Sequence, residues 1–134
     1  SAVLCSNGHL LAKNLNFAES PSRKRIELKD PEFKNNYRYV AIIEGCGGYV
    51  LRSKFFNLEE LQDTTKAPKG CILMDDIWIS GHLSRRGVEK IQIPTSKRKS
   101  LLQTNVLAIP NDRLELNNKM LKYFSSDWLD KDFI

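Results

Sequence analysis

Met74-Asp75-Asp76-Ile77-Trp78-Ile79-Ser80-Gly81-His82-Leu83-Ser84-Arg85-Arg86-Gly87 is the stretch on which the reading of this chain turns. Two adjacent carboxylates follow the short apolar run Cys71-Ile72-Leu73-Met74, and a glycine closes the segment. The pattern predicts a short strand over 71–74 and a helix from Ile77 to Arg86. Ionised carboxylates are favoured at the positive amide end of a helix, and glycine is favoured just past its last turn. With Asp75 as the cap, Trp78, Ile79 and His82 follow at offsets of three, four and seven, which puts a carboxylate and an imidazole on one side of the helix. The same residues also fit simple capping by the aspartates, a hydrogen-bonded half-buried His82 and a core Trp78.

Upstream, Tyr39-Val40-Ala41-Ile42-Ile43 is a β-branched apolar run, broken by Gly45-Cys46-Gly47-Gly48 and resumed by Tyr49-Val50-Leu51. It reads as strand, glycine turn, then strand or helix entry. Asn57, with Glu60 three residues later and Leu58 and Leu61 on one side, predicts a short capped helix that Lys66–Gly70 ends. Downstream, Val88 to Ile93 reads as a strand stopped by Pro94. A last helix is expected from Asn111, with Leu114, Met120, Leu121 and Phe124 on one face. Ser6 to Tyr37, carrying Pro21, Pro31 and Arg23-Lys24-Arg25, reads as mostly irregular. Short strands alternating with helices give an α/β class. The chain is expected to be one domain over 1–134, with 1–37 largely irregular and basic and 38–134 an α/β core.

Composition bounds the function. The chain has 134 residues, 41% of them hydrophobic and 28% charged, which suits one modest core and excludes disorder or a collagen-like repeat. No apolar run approaches the roughly 18–20 residues of a membrane-spanning helix, so no transmembrane segment is expected. Lys and Arg number 21 against 16 Asp and Glu, a net charge of +5 that favours phosphates or acidic surfaces without proving nucleic-acid binding. Cys5, Cys46 and Cys71 cannot all pair within the chain, which favours a reducing, cytoplasmic location. With no C-x-x-C pair and two histidines, a structural zinc site is not expected. The chain opens on Ser1 without a basic leader, so either a methionine was trimmed or sequence upstream is missing.

Taken together, Glu44 to Phe56 and, about twenty residues on, Met74 to Val88 resemble the C-terminal, acceptor-side half of a GT-A-type, family 2-like glycosyltransferase. Asn117-Asn118, Met120 to Phe124 and Trp128 are similar to the helix that follows in that family, so the resemblance covers about residues 39 to 128. It implies a partial GT-A-like sheet with flanking helices, and transfer of a hexosyl group from a nucleotide-sugar donor to an acceptor hydroxyl. The acidic motif would hold the base that takes the hydroxyl proton, Asp76 first and Asp75 second. Gly47 and Gly48 would let backbone approach substrate, and Tyr49, Trp78, His82, Arg85 and Arg86 would line the substrate site. The Asp-x-Asp motif that binds Mn²⁺ or Mg²⁺ in the family has no counterpart upstream of Tyr39, and Cys46 stands where an aromatic residue is common. The resemblance therefore assigns the metal and the donor to a half that is absent, on another chain or outside this sequence, and makes a missing N-terminal half or a homo-oligomer the expected partner.

Two other classes compete. A small basic nucleic-acid-binding module would use Arg23-Lys24-Arg25 and Lys97-Arg98-Lys99, but no helix-turn-helix, zinc finger or aromatic reader motif accompanies them. A catalytically silent interaction domain would keep the same fold for packing against a partner. A cysteine hydrolase pairing Cys46 or Cys71 with His82 is the weakest, because nothing in the spacing brings thiol and imidazole together.

Overall fold

The computed structural model describes residues 1–23, 37–95 and 111–134, with backbone alone at 22, 23, 111 and 112. Among the described residues there are seven short strands: β1 (Ala2–Cys5), β2 (Gly8–His9), β3 (Ser22–Arg23), β4 (Arg38–Tyr39), β5 (Ile42–Ile43), β6 (Tyr49–Val50) and β7 (Glu89–Gln92). The helices are α1 (Leu58–Gln62), α2 (Asp75–Arg85) and α3 (Asn111–Tyr123). One mixed sheet has the order β4-β7-β1-β6, with β1 and β7 parallel and the other pairs antiparallel. The second runs β3-β2-β5, all antiparallel. The chain is thus α/β, with small sheets packed against helices. Among the described residues no helix is long and apolar enough to cross a membrane.

The sheets join because two segments each bend from one into the other. β1 turns at Ser6-Asn7 into β2, and β4 turns at Val40-Ala41 into β5. The bends stay paired: Val40 N–H donates to Lys90 O at 3.0 Å and Ala41 N–H to His9 O at 2.7 Å. Two β-forming stretches so small could not stand alone, and each takes its stability from α2.

α2 is buried on nearly every side, which fits a helix at the centre of a small domain. Small residues let its neighbours come close. At Gly81 the Phe124 ring lies where a Cβ would be, so Gly81→Ala is expected to cost about 1–3 kcal/mol through overpacking. Urea unfolding of the variant measures this directly, and an unchanged midpoint would show that the ring moves freely. The helix ends as expected at Gly87, with φ +67°, where Val88 N–H returns to Leu83 O at 2.9 Å and Gly87 N–H to Ser84 O at 2.8 Å.

One core lies between α2, α3 and the β2–β5 sheet and includes Leu11, Ile42, Ile77, Trp78, Met120 and Phe124. The other, with Val3, Val40, Ile43 and Leu83, fills the space under the β1–β7 sheet. Met120, Leu121 and Phe124 share the buried face of α3 as expected, whereas Leu114 is exposed.

Three expectations need correction. Cys71–Met74 is a 3₁₀ turn rather than a strand, because Gly70 at φ +85° starts a turn that leads straight into α2. α2 then begins at Asp75, two residues earlier than expected, with Met74 in the cap position. Ser6 to Tyr37 is not wholly irregular, since Gly8-His9 and Ser22-Arg23 are strands; residues 24–36 lie outside the described residues.

Candidate functional site

A run of alternate strand amides meets a row of helix side chains one turn apart. Ile43 N–H donates to Ser80 Oγ at 3.0 Å, and two residues on Gly45 N–H donates to Asp76 Oδ1 at 3.0 Å. Two residues of extended chain and one helical turn cover similar distances, roughly 6.6 and 5.4 Å, so both bonds form in register. This holds the carboxyl of Asp76 against the glycine turn that follows β5. Oδ2 is the oxygen left for a ligand.

The acid stands in a cleft of about 600 Å³ between the glycine turn, the start of α2 and the start of α3, within the roughly 300–1,000 Å³ of small-molecule sites. Asp75, exposed beside it, uses Oδ1 to accept the Asp76 N–H at 3.0 Å. Glu44 Oε1 and His9 Nε2 are paired on the same wall. The hydrogen bond from His9 holds the Glu44 carboxyl below the usual carboxylate range. Cys46 Sγ–H donates to Glu44 at 3.6 Å on the cleft rim.

Burial raises the Asp76 pKa; the Gly45 amide counters it, while Asp75 and Glu44 push it further up. A carboxylate with a raised pKa is, once ionised, a better proton acceptor. Burial, then Asp76 and Asp75, push the Tyr49 phenol up, so it stays neutral beside the turn. Gly47 packs on Ser6 and Asn7, and Gly48 adopts φ +85°, which a side chain rarely tolerates. The glycines therefore shape the turn that aims the Gly45 amide.

The remaining expected site residues lie elsewhere. Trp78 and His82 do not reach the cleft, because further along α2 that side is covered by α3. Trp78 donates from Nε1 to Leu61 O at 3.0 Å and stacks on Tyr123, and His82 packs between Trp78 at 4.4 Å and Phe124 at 5.3 Å. Arg85 pairs with Asp127 at 3.0 Å and lies over the Phe124 ring. Arg86 is exposed beside Ser1, Lys54 and Phe55.

Burial, then Arg85, lowers the His82 pKa to about 4, with Glu60 and Asp127 opposing. An unfolded histidine titrates at about 6.5. Between these values the unfolded chain binds a proton that the folded chain refuses, so this residue lowers stability as pH falls from about 6.5 to about 4. The slope is up to about 1.4 kcal/mol per pH unit. Urea unfolding at pH 7, 5.5 and 4.5 should show a smaller acid loss in His82→Leu than in the wild type; equal losses would contradict the assignment.

Sequence reasoning missed His9, Arg113 and Asn117. His9 reaches Glu44 only through β2–β5 pairing, in which it sits opposite Ile42. Arg113 and Asn117 stand one turn apart on α3, across the cleft from the acids. The thiols of Cys5 and Cys71 are buried, and the Cys5 thiol is pushed up to about 12 by burial. Lys97, Arg98 and Lys99, and Lys24 and Arg25, lie outside the described residues, as does the side chain of Arg23. Among the described residues no group of three or more His, Cys, Asp or Glu could hold a metal ion. No protein-family model matches this chain, and no curated protein or solved structure matches it either.

Proposed function

We propose that the cleft is the acceptor side of a nucleotide-sugar transferase site, with Asp76 as the base. The observation that carries this reading is the Gly45 amide on Asp76 Oδ1, which fixes a half-buried carboxylate of raised pKa at the cleft wall with its other oxygen free. In the reaction, the acceptor hydroxyl oxygen bonds to the anomeric carbon of the donor while its proton passes to Asp76 Oδ2. The bond from that carbon to the nucleotide diphosphate breaks, and its electron pair leaves with the diphosphate. Asp75 keeps the carboxyl of Asp76 in a negative field, and Glu44, paired with His9, does the same from the strand side. Donor contacts, and the Mn²⁺ or Mg²⁺ that the resemblance implies, are assigned to none of the described residues.

Calorimetric titration with UDP-, GDP- and dTDP-sugars in the presence of Mn²⁺, followed by product analysis, tests the reading. Binding of one donor with formation of a glycoside supports it. No donor bound and no product formed overturns transfer by this chain alone and leaves it an acceptor-side half or an interaction domain.

A silent interaction domain is the second reading, favoured by the outer face of the larger sheet. There Tyr39, Ile91, Leu4 and Val50 form one row across all four strands, with Leu4 38% and Val50 65% exposed. A parallel pair such as β1–β7 is ordinarily covered on both faces. Sedimentation equilibrium showing self-association that Val50→Lys abolishes would favour this reading.

A further inference from the structure

Across the cleft from the acids, Asn117 is only 8% exposed and lines the cavity, and its side-chain amide makes no hydrogen bond with any described residue. The neighbouring Asn118 bonds within the fold, accepting the Phe17 N–H at 2.8 Å. Asn117 is otherwise packed away, and the cavity it lines is where its amide meets solvent. Asn117 is therefore placed for something that enters the cleft.

The chemistry of the walls narrows what that is. An Asn amide offers two N–H donors and a carbonyl acceptor, so it can bond two adjacent hydroxyls at once, each of which both donates and accepts. The ring of Phe17 and the side chains of Leu73 and Met74 supply an apolar strip along the same cavity, suited to the C–H face of a sugar ring. Asp75, Asp76 and Glu44 face one cation on α3, Arg113, and the His9 that Glu44 already holds. Such a surplus of carboxylates repels an anionic ligand.

We infer that Asn117 is the specificity-determining residue of a subsite for a neutral pyranoside, whose vicinal hydroxyls it binds while Asp76 faces a third hydroxyl. The inference rests on the transferase reading for calling this sugar the acceptor. Binding itself needs no donor and no base.

The test is NMR titration of the whole chain with methyl glucoside, methyl galactoside, methyl mannoside, N-acetylglucosamine and methyl glucuronoside, without nucleotide. At least one neutral glycoside is expected to shift the amides of Gly45 and Asp76 and those of α3. Its affinity should fall tenfold or more in Asn117→Ala, and the glucuronoside should bind more weakly. Asn117→Ala should keep or raise Tm, since the amide it removes has no partner in the fold. No shift with any neutral glycoside, unchanged affinity in Asn117→Ala, or a glucuronoside bound at least as tightly would each overturn the inference. Loss of folding in both Asn117→Ala and the similar-sized Asn117→Leu would do so too, by showing the amide to be structural. Asn117-dependent binding without transfer from any donor would remove the transferase reading and leave the sugar subsite standing.

Discussion

Asp132→Ala is expected to destabilise the fold by about 3–5 kcal/mol, the usual cost of removing one partner of a buried ion pair. Lys90 is 0% exposed, and its ammonium lies 3.2 Å from Asp132 Oδ1, beside Ser84 Oγ and 5.8 Å from the Trp128 ring. Burial pulls the Lys90 pKa down and Asp132 holds it up, so loss of the carboxylate leaves a desolvated cation. The variant also frees the Ser84 hydroxyl and the Leu129 N–H, both of which donate to Asp132 Oδ2 at 2.9 and 2.8 Å. That carboxylate secures the C-terminal segment, whose backbone bonds Leu11 just beyond the strand that carries His9: Leu11 N–H donates to Asp132 O at 2.8 Å and Ile134 N–H to Leu11 O at 3.1 Å. For a domain with a total stability of about 5–15 kcal/mol, the loss is a large share. Urea unfolding measures it, and a change below about 1 kcal/mol would contradict a buried pair. Lys90→Met combined with Asp132→Asn should recover much of the loss, because no buried charge is then left alone.

Asp76→Asn is expected to lower transfer by about 10²–10⁴-fold while leaving acceptor binding intact. The amide keeps a carbonyl oxygen for the Gly45 N–H and nearly the same volume, so what is removed is the basicity. Transfer by the wild type should rise with pH through the raised pKa of Asp76 and then level off. Stability should move the other way. A carboxyl whose folded pKa lies above its unfolded value favours the fold only at acid pH, and that benefit is lost as pH rises through the folded pKa. Asp76→Asn should therefore keep or raise Tm at neutral pH. A lower Tm would make Asp76 a structural residue, aimed at Gly45 alone.

The local chemistry of the fold could be read from the sequence. Asn57 caps α1 through the amides of Glu59 and Glu60, Gly87 ends α2, and Asn111 opens α3, each a signal confined to a few residues. The 71–74 turn was misread because four apolar residues carry no period that separates a strand from a tight helical turn. His82 followed the spacing argument around the helix but not along it, since the sequence does not reveal that Phe124 covers that side. The resemblance implies one site for Asp76 and the glycine turn, but no local pattern shows the Gly45 amide reaching Asp76. One usable signal was overlooked: Asp76, Ser80 and Ser84 recur every four residues on α2, and all three side chains bond outside the helix. His9, Glu44 and Asn117 had no such mark, because their meeting depends on chain pairings many residues apart.

Product analysis of wild type and Asp76→Asn, each incubated with the nucleotide-sugar panel, Mn²⁺ and a neutral glycoside, is the measurement that bears most directly on the cleft. The account predicts a glycoside product from one donor in the wild type, reduced about 10²–10⁴-fold in Asp76→Asn at unchanged glycoside affinity. Equal product from both proteins would contradict it, and none from the wild type with any donor would rule out transfer by this chain alone.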